Sequence, residues 1–160
     1  MPRGEEPSAA LPDLLRRRWL LVGIGNDLRG DDAFGPLLAR RLIARGLPAI
    51  DAGMAPENVT GPIRRAAPEL LILADATDLG EPVGTVRLLK GEDLAEGGTS
   101  THDPSLTMLL TYLEAQLDEP PEVRFLAAQA GTRALGAEPS PALRDAVVAV
   151  DALFPRSSPS

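Results

Sequence analysis

Residues 19–32 read Trp-Leu-Leu-Val-Gly-Ile-Gly-Asn-Asp-Leu-Arg-Gly-Asp-Asp, an uncharged apolar run that ends in a glycine-rich, acidic turn. A run of this kind, Trp19–Ile24, is typical of a strand that is buried on both faces of a parallel sheet. In the next segment, Phe34, Leu38 and Leu42 recur at helical spacing, which predicts an amphipathic helix over residues 33–45. Strand, turn and helix in this order are typical of α/β proteins.

The same alternation continues along the chain. Further strands are predicted over residues 48–51, 69–76, 84–89 and 123–129, and further helices over 56–66, over 104–117 and from Ser140 onward. Strands that alternate with helices predict an α/β fold with a largely parallel sheet and helices on both faces. We expect one α/β domain over residues 19–154, a flexible leader over 1–18 and a disordered tail over 155–160.

Composition excludes several classes of function. The 160 residues include no cysteine and one histidine, so disulfides, zinc ribbons, thiol nucleophiles and HExxH zinc sites are ruled out. The net charge is −7, with the excess between residues 31 and 120, which disfavours binding to nucleic acid. The longest apolar run is far shorter than the roughly 20 residues of a membrane span. We therefore expect a cytoplasmic monomer that binds neither nucleic acid nor a membrane.

Acidic side chains follow the predicted strands. Asp31 and Asp32 come after the first strand, Asp51 ends the second and Asp75 ends the third. Because the carboxyl ends of parallel strands share one edge of a sheet, these acids should converge there. Two carboxylates together with His102, the single histidine, would form an oxygen- and nitrogen-donor site suited to nickel, zinc, manganese or iron.

Ordinary structural roles could also explain these residues. Either acid of the Asp31–Asp32 pair could cap the helix that follows, and His102 alone is more often a loop residue than a ligand. The glycines around Gly25 do not form a dinucleotide-binding motif, because Leu28 stands where that motif needs its third glycine. On this interpretation the chain is an acidic α/β domain whose carboxylates are helix caps and surface charges.

Four blocks of sequence, in order, resemble a known family. Residues 23–36, Gly-Ile-Gly-Asn-Asp-Leu-Arg-Gly-Asp-Asp-Ala-Phe-Gly-Pro, are similar to the signature of the NiFe hydrogenase maturation endopeptidases. Residues 51–58, Asp-Ala-Gly-Met-Ala-Pro-Glu-Asn, resemble the second block in the form typical of the hydrogenase-3 (formate hydrogenlyase) type. Residues 71–78 and 100–103 resemble the third and fourth blocks.

The resemblance implies a three-layer αβα sandwich around a twisted, mainly parallel sheet of about five strands. Members of this family remove a C-terminal extension from the precursor of the hydrogenase large subunit once nickel is in place. The resemblance further implies that Asp32, Asp75 and His102 contact that nickel, which belongs to the substrate. It further implies a peptide hydrolase of the aspartic type, with Asp32, Asp75 and Asp51 as its catalytic residues. Asp51 matches another acid of the family pattern, and we take it as the candidate general base for the attacking water.

Two departures from the family pattern keep an alternative open. Many relatives have glycine where Ala33 and Ala52 stand in this chain. The alternative is a nickel-sensing binding module that has the same fold and does not cleave its partner.

Overall fold

One five-stranded sheet forms the centre of the fold. The computed structural model describes residues 4–91, 93 and 104–156. The strands are β1 (Trp19–Ile24), β2 (Ala49–Gly53), β3 (Leu70–Thr77), β4 (Val86–Leu89) and β5 (Glu122–Gln129). Their order across the sheet is β2-β1-β3-β5-β4; the first four are parallel and β4 runs antiparallel to β5.

The register of the strands aligns their carboxyl ends. Gly23 of β1 pairs with Asp51 of β2 on one side and with Ala74 of β3 on the other. Asp75, the next residue of β3, pairs with Ala127 of β5. The loops that follow these strands therefore lie along the same edge of the sheet, where ligands bind in α/β folds.

Helices cover both faces of the sheet. They are α1 (Pro7–Leu14), α2 (Phe34–Ala44), α3 (Thr60–Ala66), α4 (Pro104–Gln116) and α5 (Pro141–Asp151). Helices α1, α2 and α5 pack with Leu21 and Ile72 on one face, and α3 and α4 pack with Val22 and Leu73 on the other. Successive residues of each strand thus enter opposite layers. The predicted αβα sandwich around a mainly parallel, five-stranded sheet is confirmed.

Residues 4–18 pack against the sheet, which differs from the flexible leader predicted over 1–18. Glu5 forms a β-bridge with Leu88 of the edge strand, in which each backbone N–H donates to the other carbonyl at 2.9 Å. Leu11 of α1 is fully buried and Leu15 is 7% exposed. An eight-residue helix is unstable alone in water, so packing onto the sheet must hold α1 in place.

The other predicted elements agree closely with the structure, except that one predicted helix is divided into two. The helix predicted over residues 56–66 is a 3₁₀ helix, Pro56–Val59, followed by α3. Pro62 lacks the N–H that a continuous helix would need at that position. Ser140 caps α5 as its Oγ accepts from the Leu143 N–H at 3.3 Å. Of the predicted tail, residues 157–160 lie outside the described part of the chain.

None of the described helices combines the length and the hydrophobicity needed to cross a membrane.

Candidate active site

Asp32 lies in the tight turn between β1 and α2. Its Oδ2 accepts a hydrogen bond from the backbone N–H of Asn26 at 2.9 Å, which closes the turn on itself. The Oδ1 of Asn26 accepts from the Leu28 N–H at 2.9 Å and so fixes the start of the same turn. Asp32 is half-buried. Its carboxylate is therefore held by the backbone while part of the residue still faces solvent.

Glycines allow this turn to lie directly on the sheet. A Cβ atom on Gly35, in the first turn of α2, would be 2.3 Å from the carbonyl oxygen of Ala74. A Cβ atom on Gly25 would be 2.0 Å from the carbonyl oxygen of Asp32. No other residue can make approaches this close. The contact between Gly35 and Ala74 brings the segment that carries Asp32 against the strand that carries Asp75.

Asp75 lies near the carboxyl end of β3 and is half-buried. Strand alternation sends its side chain, like those of Leu73 and Thr77, to the face covered by α4. Asp75 and Thr77 line a small cavity there, and its other lining residues are Ile24, Leu73, Leu106, Phe125, Leu126 and Ala127. Among these lining residues the remaining walls are apolar. A carboxylate in such surroundings is costly unless it is paired or binds a cation.

Asp51 lies on the opposite face of the sheet and points toward α2. Its Oδ2 accepts from Nε of Arg40 at 2.9 Å, and its Oδ1 accepts from the Gly53 N–H at 3.0 Å. The structure therefore brings the segments of Asp32 and Asp75 together and places Asp51 across the sheet from Asp75.

Arg40 links two loops at this edge of the sheet. Besides Asp51, it donates from Nη2 to Oδ2 of Asp27 at 2.7 Å. The hydrogen bond with Asp27 is the main cause that raises the pKa of Arg40 above its ordinary value; burial opposes the shift and Asp51 adds to it. Arg40 thus remains a cation that ties the turn after β1 to β2.

Asp31 has a role different from helix capping. It is fully buried, and its carboxylate accepts from the Gly131 N–H at 2.6 Å, the Ser140 N–H at 2.6 Å and the Ser140 hydroxyl at 2.9 Å. The residue that caps α2 is Ala33, which has no side-chain oxygen. The capping explanation for the Asp31–Asp32 pair is therefore not what the structure shows.

His102 lies outside the described residues, so its predicted place beside Asp32 and Asp75 stays a prediction. Within the described part of the chain, no three acidic side chains form a group that could hold a metal ion by themselves.

Three residues of this region, and the role of Asp31, were missed by reasoning from sequence. Thr77 could have been found, because it lies two residues after Asp75 and must share its face. Glu57, whose Oε2 is buried without a hydrogen-bond partner among the described residues, follows β2 in the 3₁₀ helix. The role of Asp31 gave no local signal, because its partners lie 100 and 109 residues away. Arg40 gave none either, because its partners lie 11 and 13 residues away in other segments.

A groove of about 790 Å³ lies at the other end of the sheet. Two pairs of its charged lining residues form ion pairs, Arg17 with Glu122 at 3.0 Å and Arg18 with Glu69 at 3.8 Å. It is remote from the acids at the carboxyl edge.

The sequence matches known maturation proteases over most of the domain. Residues 36–152 match the family model HycI, described as hydrogenase maturation protease. The chain is 38% identical over 104 residues to the hydrogenase 3 maturation protease of Escherichia coli (strain K12), which covers 62% of this chain and 67% of that protein. A putative hydrogenase maturation protease of Methanocaldococcus jannaschii is 27% identical over 109 residues, which covers 61% of this chain and 64% of that protein.

Solved structures agree with this similarity. A crystal structure of a NiFe hydrogenase maturation protease from Thermococcus kodakarensis KOD1 superposes with a TM-score of 0.78 at 29% identity, covering 89% of this chain and 94% of that one. The solution structure of the endopeptidase HycI from Escherichia coli has a TM-score of 0.69 at 35% identity and covers 84% of this chain and 87% of that one.

The α/β fold, with its acidic loops at the carboxyl edge, is that of the hydrogenase maturation proteases, a class of hydrolases. The chain belongs to the HycI family of these proteases, which confirms the resemblance seen in the sequence.

Proposed function

We propose that this chain is an endopeptidase that removes a C-terminal extension from the nickel-loaded precursor of a NiFe hydrogenase large subunit. Membership of the maturation protease family supports the reaction class and the substrate. The observation that carries the proposal is the close contact of Gly35 with Ala74, because it joins the segments of Asp32 and Asp75 at the edge where a polypeptide can reach them.

In this proposal Asp32, Asp75 and His102 contact the nickel of the substrate. Carboxylate oxygens and an imidazole nitrogen suit Ni²⁺, and a single nitrogen donor gives a weak site that can release the metal with the product. Nickel is then part of the substrate, and the protease needs no cofactor of its own. Recognition of the metal would restrict cleavage to precursors that have already received it.

The reaction is hydrolysis of one peptide bond. Water adds through its oxygen to the carbonyl carbon, the carbon–nitrogen bond breaks, and the water protons pass to the leaving amine and to a general base. We propose Asp51 as that base, with Asp32 and Asp75 as the other catalytic acids of an aspartic-type protease. Each carboxylate oxygen has two lone pairs, so Asp51 can accept from water while it accepts from Arg40 and Gly53.

The positions of these acids suggest how the substrate lies. Asp51 faces α2, whereas Asp75 faces α4. The precursor would therefore cross the edge of the sheet, with its nickel toward Asp75 and the bond to be cut toward Asp51. We further propose that the protein acts in the cytoplasm as a monomer, with neither nucleic acid nor a membrane as partner; its net charge of −7 supports the exclusion of nucleic acid.

The proposal is tested by incubating the purified chain with a nickel-loaded precursor large subunit and weighing the product by mass spectrometry. We expect the mass to fall by that of a C-terminal peptide, and the nickel-free precursor to remain intact. Asp32→Ala, Asp75→Ala and His102→Ala should each abolish most of the cleavage. Asp118→Ala, which removes an exposed carboxylate, is the matched control and should cleave as wild type does.

Two results would contradict the proposal. Undiminished cleavage by Asp32→Ala would remove the proposed site. Nickel-dependent binding of the precursor by the wild type, without any loss of mass, would instead indicate the non-cleaving nickel-sensing module.

A further inference from the structure

Thr77 carries a buried hydroxyl group that the described part of the fold does not use. The residue is 5% exposed, and its Oγ1 has no hydrogen-bond partner among the described residues. Its backbone is already engaged, since its carbonyl accepts from the Ala130 N–H at 3.1 Å. A buried hydroxyl without a partner is destabilising relative to an apolar side chain of the same shape. A structural role therefore does not account for it.

The hydroxyl lies beside Asp75. The two residues are separated by one position on β3, so both face α4, and both line the same small cavity. Among the described residues that line this cavity, Asp75 and Thr77 are the two polar ones, and Ile24, Leu106 and Phe125 belong to its apolar wall. The described lining of the cavity is thus mostly apolar, and its polar groups are contributed by one strand.

The size of the cavity limits what it can hold. It offers about 10 Å³ for the centre of a water molecule, which corresponds to roughly one water and leaves no space for a peptide group. The Cα atoms of residues two apart on a strand are about 6.6 Å apart, and one water that forms two hydrogen bonds of about 2.8 Å joins oxygen atoms up to about 5.6 Å apart. Two side chains that lean toward each other on this face therefore come within reach of one bridging water. A water in this position would satisfy the Thr77 hydroxyl and contact the Asp75 carboxylate.

We propose that Thr77 is a positioning residue for Asp75, with one buried water that bridges its hydroxyl to the carboxylate and fixes the orientation of that carboxylate. The inference rests on the proposed function, in which Asp75 contacts the nickel of the precursor. Groups that hold a metal-binding side chain in place commonly affect activity by roughly 10- to 100-fold. Thr77 acts through Asp75 and need not touch the substrate.

The test compares Thr77→Val, which keeps the shape and removes the hydroxyl, with Thr77→Ser, which keeps the hydroxyl. With nickel-loaded precursor, we expect kcat of Thr77→Val to fall by roughly 10- to 100-fold while KM changes little, and Thr77→Ser to stay within about threefold of wild type. Thr107→Val, the same substitution at an exposed position of α4, is the matched control and should leave kcat unchanged. Thermal unfolding of each variant separates positioning from loss of fold.

A second substitution shows whether Thr77 acts through Asp75. In an Asp75→Asn background, Thr77→Val should cause no further loss of residual activity or of precursor binding. A high-resolution crystal structure of the wild type should show one water within hydrogen-bonding distance of both side chains. Any of three results would overturn the inference. They are a wild-type kcat for Thr77→Val, a loss of kcat in Thr77→Ser as large as that in Thr77→Val, and a crystal structure without water in the cavity. Failure of the wild type to cleave would overturn the proposed function itself, while the crystal structure would still report on the water.

Discussion

Asp31 and Ser140 are joined by two hydrogen bonds although 109 residues separate them in the sequence. Oδ1 of Asp31 accepts from the Ser140 N–H at 2.6 Å, and Oδ2 accepts from the Ser140 hydroxyl at 2.9 Å. The same Oδ2 also accepts from the Gly131 N–H at 2.6 Å. A buried carboxylate thus ties the turn that carries Asp32 to the loop between β5 and α5.

Replacing Asp31 by Asn should destabilise the protein. The amide nitrogen of the new side chain would face N–H donors that now contact a carboxylate, so at least one buried donor would lose its acceptor. We expect the free energy of unfolding to fall by about 2–4 kcal/mol, measured by urea denaturation. Asp118→Asn, at an exposed position, should change it by less than about 0.5 kcal/mol. Equal stabilities of the two variants would show that the Asp31 hydrogen bonds contribute little.

The neighbouring residues Asp31 and Asp32 show what the sequence could and could not predict. The apolar runs and helical spacings locate the strands and helices, because each pattern is local to its element. Asp31 and Asp32 are adjacent and chemically identical, yet one is buried and the other half-exposed. That difference is decided by Gly131 and Ser140, which the fold brings in from the far end of the chain. No local pattern in the sequence predicts a partner that distant.

The first helix illustrates a second limit. The first eight residues, Met-Pro-Arg-Gly-Glu-Glu-Pro-Ser, lack an apolar pattern, so the sequence indicates a loose leader. In the structure, Leu11 nonetheless fills a place in the core that only the assembled sheet creates. Helix α1 owes its stability to tertiary packing, which propensity and periodicity do not report.

Truncating Leu11 tests whether α1 belongs to the cooperative fold. Leu11 is fully buried, so Leu11→Ala should lower the free energy of unfolding by about 2–4 kcal/mol. Leu135→Ala is the control, because Leu135 is 68% exposed, and its effect should stay below about 0.5 kcal/mol. Unfolding would be followed by circular dichroism in urea. If the two substitutions had the same small effect, α1 would not be part of the folded core.

Arg40 should matter more for cleavage than for stability. Its side chain is half exposed, so the ion pairs with Asp27 and Asp51 contribute at most about 1 kcal/mol to the free energy of unfolding. The Arg40 guanidinium also orients the Asp51 carboxylate, and we expect Arg40→Met to lower kcat for precursor cleavage on the order of tenfold. Arg144→Met, which breaks the exposed pair with Glu138, is the control for a lost surface cation. A wild-type kcat for Arg40→Met would argue against Asp51 as the general base.

Glu122 should make stability depend on pH in the acidic range. Burial raises its pKa, but the hydrogen bond from Arg17 and the charges of Arg124 and Lys90 outweigh burial, so the pKa lies below its ordinary value of 4.5. A carboxyl group with a lowered pKa stabilises the folded state above its unfolded pKa. That contribution is lost as the pH falls through the folded value.

The measurement compares wild type with Glu122→Gln by urea denaturation at neutral pH and at pH values below 4.5. We expect wild type to be the more stable at neutral pH and the difference to shrink as the solution becomes acidic. Glu138→Gln, whose carboxylate is 87% exposed, should show no comparable trend. A difference between wild type and Glu122→Gln that does not vary with pH would contradict the assigned direction.

Gly35→Ala tests the contact that brings the segment of Asp32 against the strand of Asp75. The added Cβ would lie 2.3 Å from the Ala74 carbonyl oxygen and 2.4 Å from that of Ile24. Both are backbone atoms of buried strands and cannot move aside without disturbing the sheet. We expect a loss of more than about 3 kcal/mol in the free energy of unfolding, a size that marks a severe steric defect.

The control is Gly61→Ala in α3. There the nearest atom to the new Cβ is the flexible end of Arg65 at 3.3 Å, and a helical glycine replaced by alanine commonly gains about 0.5–1 kcal/mol. At a temperature where Gly35→Ala is still mostly folded, its kcat for nickel-loaded precursor should fall well below that of Gly61→Ala, because the turn that carries Asp32 can no longer rest on β3. If Gly35→Ala folds and cleaves like the control, the close approach of α2 to β3 is not what brings Asp32 and Asp75 together.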